Sequence, residues 1–175
     1  VLLVVAMGSL LPLIVGEFDL SVGYVASMCS LVEAQLAGGN HWNPVAATIA
    51  TLAIALIIGC VNAFLVVAVG INSFIATLGI GTVLSGLGSY ISNDQTLFQG
   101  IPPGLSTLGS GYWHGIPIIV FAAAAFVAVT YYVLKWTPLG RYMYATGGGR
   151  EAARLSGVST SSIRASSLVA SAVFA

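Results

Sequence analysis

Glu17 and Asp19 stand two residues apart between stretches that carry no charge, VLLVVAMGSLLPLIV before and SVGYVASMCSLV after. An ionised group at the centre of a membrane helix costs about 2.5–3.5 kcal/mol on insertion scales, so each of these carboxylates needs a reason to be there. Asp19 has two compatible readings. Its carboxylate caps a helix starting near Leu20 by accepting orphan backbone N–H groups, or it lines a substrate path at a helix break. Glu17, preceded by Gly16, is expected to face a water-filled cavity or the cytosol. Asn62, inside IIGCVNAFLVV, either bonds across helices or lines a pathway. Phe74 and Thr77 present a ring and a hydroxyl that suit either a path or packing. A membrane aspartyl protease needs a second Asp on another buried helix, and Asp94 lies in a polar loop. No GxxxxGK[ST] occurs, so no P-loop nucleotide site is expected, and no catalytic residue is proposed. His41 and His114 are lone histidines without metal-ligand spacing, and Cys29 and Cys60 read as packed thiols.

The elements that must hold these residues are membrane helices. Of 175 residues, 58% are hydrophobic and 6% charged, with a mean hydropathy of +1.01; soluble domains are nearer one quarter charged. A span needs about 20 apolar residues, which residues 45–69 and 116–134 supply, with 74–91 as a third and 163–175 as the start of another. Residues 1–15 and 20–37 are either two short spans or one helix broken around Gly16. Small residues four apart, Ala47, Thr51, Ala55, Gly59 and Ala63, then Gly81, Ser85 and Ser89, predict close helix packing in lipid. The chain starts and ends inside apolar runs and reads as a piece of a longer one.

Charge sets the orientation. Residues 1–100 hold four acids and no Lys or Arg, while Lys135, Arg141, Arg150, Arg154 and Arg164 all lie between 135 and 164. A basic connection between spans belongs on the cytoplasmic side and is no nucleic-acid surface. That places 135–162 inside, 93–115 outside, 70–73 inside and 38–44 outside, with Glu17 and Asp19 toward the inner half. Trp42 and Trp113 then flank outer loops, as interface anchors do.

The most specific local stretch is GGGREAARLSGV, 147–158. REAARLS makes two helical turns, Glu151 suits the positive N-terminal end and Gly157 suits the C′ position. Arg150 and Arg154 share one face, and Ala152 and Leu155 another. Such a helix suits a membrane surface or a groove in a partner.

GEFDLSVG, then VNAFLV and GINSFIATLG, then TPLGRYMYATGGGREAARLSGV resemble, in order, the permease subunits of ribose/xylose/galactose-type ATP-binding-cassette importers. The resemblance implies an all-α polytopic transmembrane bundle of the ribose-permease type, residues 1–175 forming one permease domain in a bacterial cytoplasmic membrane. It implies docking of cytoplasmic ATP-binding subunits, which hold ATP and Mg, so that no cofactor is expected in this chain. It further implies a second permease copy, an external sugar-binding protein, a monosaccharide substrate and surrounding lipid. Arg150, Glu151, Ala152, Ala153, Arg154, Leu155, Ser156 and Gly157 match the coupling helix, at about 150–156. Gly16, Glu17, Asp19, Ser21, Asn62, Phe74 and Thr77 fall at the helix break or the translocation path. Glu17 departs from the family, where a second glycine is usual. The rival reading is a self-contained carrier using Glu17 or Asp19 for proton coupling; a membrane scaffold is a third, and would not need the REAARLSG helix.

Overall fold

The computed structural model describes residues 2–93, 95, 109–113 and 115–175. It is helical nearly throughout. In chain order the elements are α1 (Leu2–Ile14), α2 (Val22–Ala34), α3 (Pro44–Ala63) and α4 (Ser73–Ser92). A two-residue antiparallel hairpin follows, β1 (Tyr112–Trp113) with β2 (Ile116–Pro117), and then α5 (Ile118–Trp136), α6 (Pro138–Gly148), α7 (Arg150–Leu155) and α8 (Thr160–Phe174). Most of the polar connection expected over 93–115, with Asp94 and His114, lies outside the described residues.

Local chemistry sets the helix starts. Asn43 Oδ1 accepts from Val45 N ahead of α3, Asn72 Oδ1 from Phe74 N ahead of α4, and Thr137 Oγ1 from Gly140 N ahead of α6. Each is a side chain satisfying a first-turn amide that no helical carbonyl can reach. Single turns of π-helix, Gln35–Gly39 and Phe64–Ala68, end α2 and α3. With that turn, α3 runs Pro44–Ala68; it, α4 and α5 are long and apolar enough to cross a membrane.

The last helix, expected only as the start of a span, is the centre of the bundle. It contributes to all three apolar clusters: Ala172 with Val25, Ile58 and Leu84; Ile163 with Leu11, Val15, Leu134 and Met143; Leu168 with Ala63, Val66 and Ala76. Small residues bring its neighbours close. A Cβ on Gly59 of α3 would lie 2.9 Å from Val169 Cα, and one on Gly8 of α1 would lie 3.0 Å from Phe174 Cβ. The predicted stripe on α3 holds, with Ala47, Thr51, Ala55, Gly59 and Ala63 all buried. The one on α4 does not. Ser85 and Ser89 are exposed, and the buried line is Thr77, Gly81, Leu84 and Gly88. The seam with α2 follows a spacing of four then three, because Tyr24 lies on Gly81 and Leu31 on Gly88.

Residues 2–39 resolve into two helices separated by a non-helical segment, 15–21. The connection at 135–162 is itself mostly helical, carrying α6 and α7.

Candidate coupling and permeation site

The segment joining α1 to α2 begins with a Gly-terminated helix end. Gly16 has φ +81°, Gly16 N donates to Leu13 O (3.1 Å) and Glu17 N to Pro12 O (2.9 Å). This is the paired-bond closure in which a left-handed residue, nearly always glycine, lets two orphan carbonyls be satisfied. Four residues outside any helix follow, and in a membrane interior their backbone groups need partners. α4 supplies them: Phe18 N donates to Ser73 Oγ and Leu20 N to Thr77 Oγ1, both at 3.0 Å. Thr77 is fully buried.

Asp19 does not cap the first turn of α2 as expected. The helix starts at Val22, two residues later, and Asp19 Oδ1 instead accepts from Ser21 N (2.9 Å) and Ser21 Oγ (2.6 Å). The carboxylate folds back on the chain just before the helix, a local turn that Asp side chains form readily. Ser21 Oγ in turn accepts from Asn62 Nδ2 at 2.8 Å, so Asn62 ties α3 to the start of α2. Asp19 Oδ2 and Asn62 Oδ1 are buried and make no hydrogen bond.

Glu17 is placed differently from expectation: it faces neither a water-filled cavity nor solvent. Its side chain is 6% exposed, and Oε1 accepts from Arg150 Nη2 (2.7 Å) and Arg164 Nε (2.5 Å). A buried carboxylate with two guanidinium partners keeps charge-assisted hydrogen bonds in place of lost hydration. The partners differ: the Arg164 side chain is 15% exposed and that of Arg150 48%. Arg164, on α8, also lies 3.5 Å from Val66 O. Glu17 therefore joins the α1–α2 segment to the first residue of α7 and to the central helix.

The glycines before α7 have separate tasks. Gly147 sits where a Cβ would lie 1.8 Å from Ile14 O, so only glycine lets α6 cross the end of α1. Gly149 precedes α7 in extended backbone. Gly157, at φ +84°, ends α7 with the same closure as Gly16: Gly157 N donates to Arg154 O and Val158 N to Ala153 O, both at 3.0 Å. Of this helix only Ala153 is buried. Ala152 is exposed, Leu155 is 79% exposed, and Arg154 pairs with Glu151 at 2.6 Å. Arg150 and Arg154 thus do different things, one reaching into the bundle and one staying on the helix.

Gly16, Glu17, Asp19, Ser21, Asn62 and Thr77 come together with Arg150 at one end of the bundle. Phe74 does not join them. Its side chain faces outward, half exposed, because Ser73 and Thr77, one turn apart, occupy the inner face of α4. Two contributors escaped the sequence reading. Ser73 is four residues before Thr77, and that spacing was its signal. Arg164 was counted only as part of the basic cluster, although a base just inside an expected span is a signal in itself. Away from this end, Glu33 accepts from Thr48 Oγ1 and Thr51 Oγ1 at 2.9 Å each, in a groove of about 530 Å³ between α2, α3 and α8. Among the described residues, no cluster of His, Cys, Asp and Glu could hold a metal.

Across all of residues 1–175 the sequence matches the family described as the permease component of the branched-chain amino acid transport system. It is 30% identical, over 92% of its length, to the ribose import permease protein of Haemophilus influenzae, covering 50% of that protein. It is 32% identical, over 94% of its length, to the autoinducer 2 import system permease protein of Escherichia coli, covering 47% of it. With a probable ABC transporter permease protein of Sinorhizobium fredii the identity is 31% over 99% of this chain and 52% of the relative. The chain thus spans about half the length of the curated relatives it matches. No solved structure matches it. Carrying its apolar spans and a family match over every residue, the chain belongs to this family of membrane transport permease components.

Proposed function

We propose that the protein is the membrane subunit of an ATP-binding-cassette importer that moves a monosaccharide of the ribose, xylose or galactose class into the cell. It performs no chemistry on the sugar. ATP and Mg belong to cytoplasmic ATPase subunits, an external binding protein delivers the sugar, and a second permease copy completes the pathway in the cytoplasmic membrane. Residues 135–162 face the cytoplasm, and α7 is the helix on which an ATPase subunit docks. The observation that carries this reading is α7 itself. A six-residue helix closed at both ends by glycine displays Leu155 and Ala152 outward at the bundle end where the α1–α2 break lies. Ribose and autoinducer 2 are named for relatives of this chain, which supports a small polyhydroxylated cargo. The groove that holds Glu33, Thr48 and Thr51 offers polar groups suited to hydroxyls along its path. Family membership disfavours the self-contained proton-coupled carrier.

The test is Leu155→Asp in the full-length protein, with co-purification of the ATPase subunit as readout. Burying one leucine contributes roughly 1.5–3 kcal/mol, so association should weaken about tenfold or more while membrane insertion is unchanged. Undiminished co-purification would sink the docking role of α7.

A further inference from the structure

Glu17 offers more than a static ion pair. Its two guanidinium partners meet the same oxygen, Oε1, but come from different places. Arg164 is held within the central helix and is nearly buried; Arg150 opens α7 and is half exposed. Losing a sole partner would leave a buried carboxylate bare, which is strongly unfavourable. Here the departure of Arg150 leaves Arg164 in place, so the outer bond can break without stranding the charge. Because Arg154 pairs with Glu151 on its own helix, Arg150 is, among the described residues, the α7 side chain bonded to the bundle. On the inner side the chain of bonds continues. Glu17 sits in the segment whose amides at Phe18 and Leu20 rest on Ser73 and Thr77, and Ser21 meets Asn62.

We propose that Glu17, Arg150 and Arg164 form a releasable latch: Arg164 holds Glu17 permanently, and Arg150 makes or breaks its bond as α7 moves, passing that movement to the α1–α2 break. The latch rests on the reading of α7 as the ATPase-docking helix. Glu17 and Arg150 act as positioning residues and need not touch the sugar. Two cations share one carboxylate, so the closed cluster carries one excess positive charge, and release of Arg150 leaves Glu17 and Arg164 as a neutral pair. The glycine ends at Gly16 and Gly157 bound the two segments that would shift relative to each other.

The experiment is hydrogen–deuterium exchange on the full-length permease assembled with its ATPase subunits, with and without the non-hydrolysable analogue AMP-PNP and Mg. Two segments are followed, 150–158 and 16–21, the second reporting the amides of Phe18 and Leu20. In the parent, nucleotide should change exchange at least threefold in both. Arg150→Gln should keep the response at 150–158 and lose most of it at 16–21. Glu17→Gln, a neutral isostere, should do the same and serves if the first variant assembles poorly. A parent that responds only at 150–158 overturns the latch, as does Arg150→Gln with a full response at 16–21. So does faster exchange at 16–21 by the same factor with and without nucleotide, the mark of a static brace. No response at 150–158 in any protein overturns the docking role of α7 first, and the latch falls with it.

Discussion

Replacing Glu17 with Gln removes one negative charge and little volume, and the structure sets how much this should cost. Arg164 would keep a side chain only 15% exposed with no counter-charge. Breaking a buried pair by removing one partner costs about 3–5 kcal/mol. Arg150→Gln is a different case, because Glu17 retains Arg164 and the lost partner is half exposed. A pair open to solvent contributes about 0.2–1 kcal/mol. For a chain about twice this length 1 kcal/mol moves Tm by roughly 1–2 °C. Glu17→Gln should therefore lower Tm by roughly 3 °C or more, and Arg150→Gln by no more than about 2 °C. The double variant Glu17→Gln/Arg164→Gln should melt above Glu17→Gln, since neutralising a buried pair together avoids the stranded charge. Thermal unfolding of the full-length protein in detergent micelles, followed by tryptophan fluorescence, reads all three. Arg150→Gln as damaging as Glu17→Gln, or a double variant no better than the single, would refute a buried hub held mainly by Arg164.

Neighbouring glycines separate close approach from helix propensity. Gly147→Ala should destabilise by about 1–3 kcal/mol or more, because its Cβ would meet the Ile14 carbonyl, whereas Gly148→Ala, which meets nothing within 4 Å, should be neutral or gain up to about 1 kcal/mol; micelle Tm values in the reverse order would disprove the α1–α6 crossing. Asp19→Asn should retain the bonds to Ser21 and keep assembly near parental levels, while Asp19→Ala, leaving both buried Ser21 donors unpaired at about 1–3 kcal/mol each, should lose about 2 kcal/mol or more, and size-exclusion profiles showing the two variants equally intact but equally inactive would assign the charge itself a role in transport.

Much of this arrangement is written locally. Asn43, Asn72 and Thr137 announce helix starts, Gly157 announces the end of α7, and the apolar runs announce the spans. The break around Gly16 and the polar character of Asp19, Asn62 and Thr77 are legible for the same reason: each stands against an apolar background. What is not legible depends on residues far apart in the chain. The pairing of Glu17 with Arg150 and Arg164 spans more than a hundred positions, and the cost of a charge in lipid, with Gly16 beside it, sent Glu17 to water. The need for Gly147 arises from Ile14 on another helix. Facing is the subtler loss. Small residues four apart gave the right face of α3 and the wrong one of α4, because the partner side chains Tyr24 and Leu31 decide where the seam runs.

The central claim, that α7 meets an ATPase subunit, is tested most directly by a photo-crosslinking amino acid placed at Leu155 in the full-length protein in intact cells. A control belongs at Tyr90, 83% exposed and about 26 Å along α4 from the end that meets the α1–α2 break. Irradiation should join the ATPase subunit to position 155 and leave position 90 unlinked to it. An ATPase subunit captured from position 90, or lipid alone captured from position 155, would contradict the assignment of α7 and the orientation built on it.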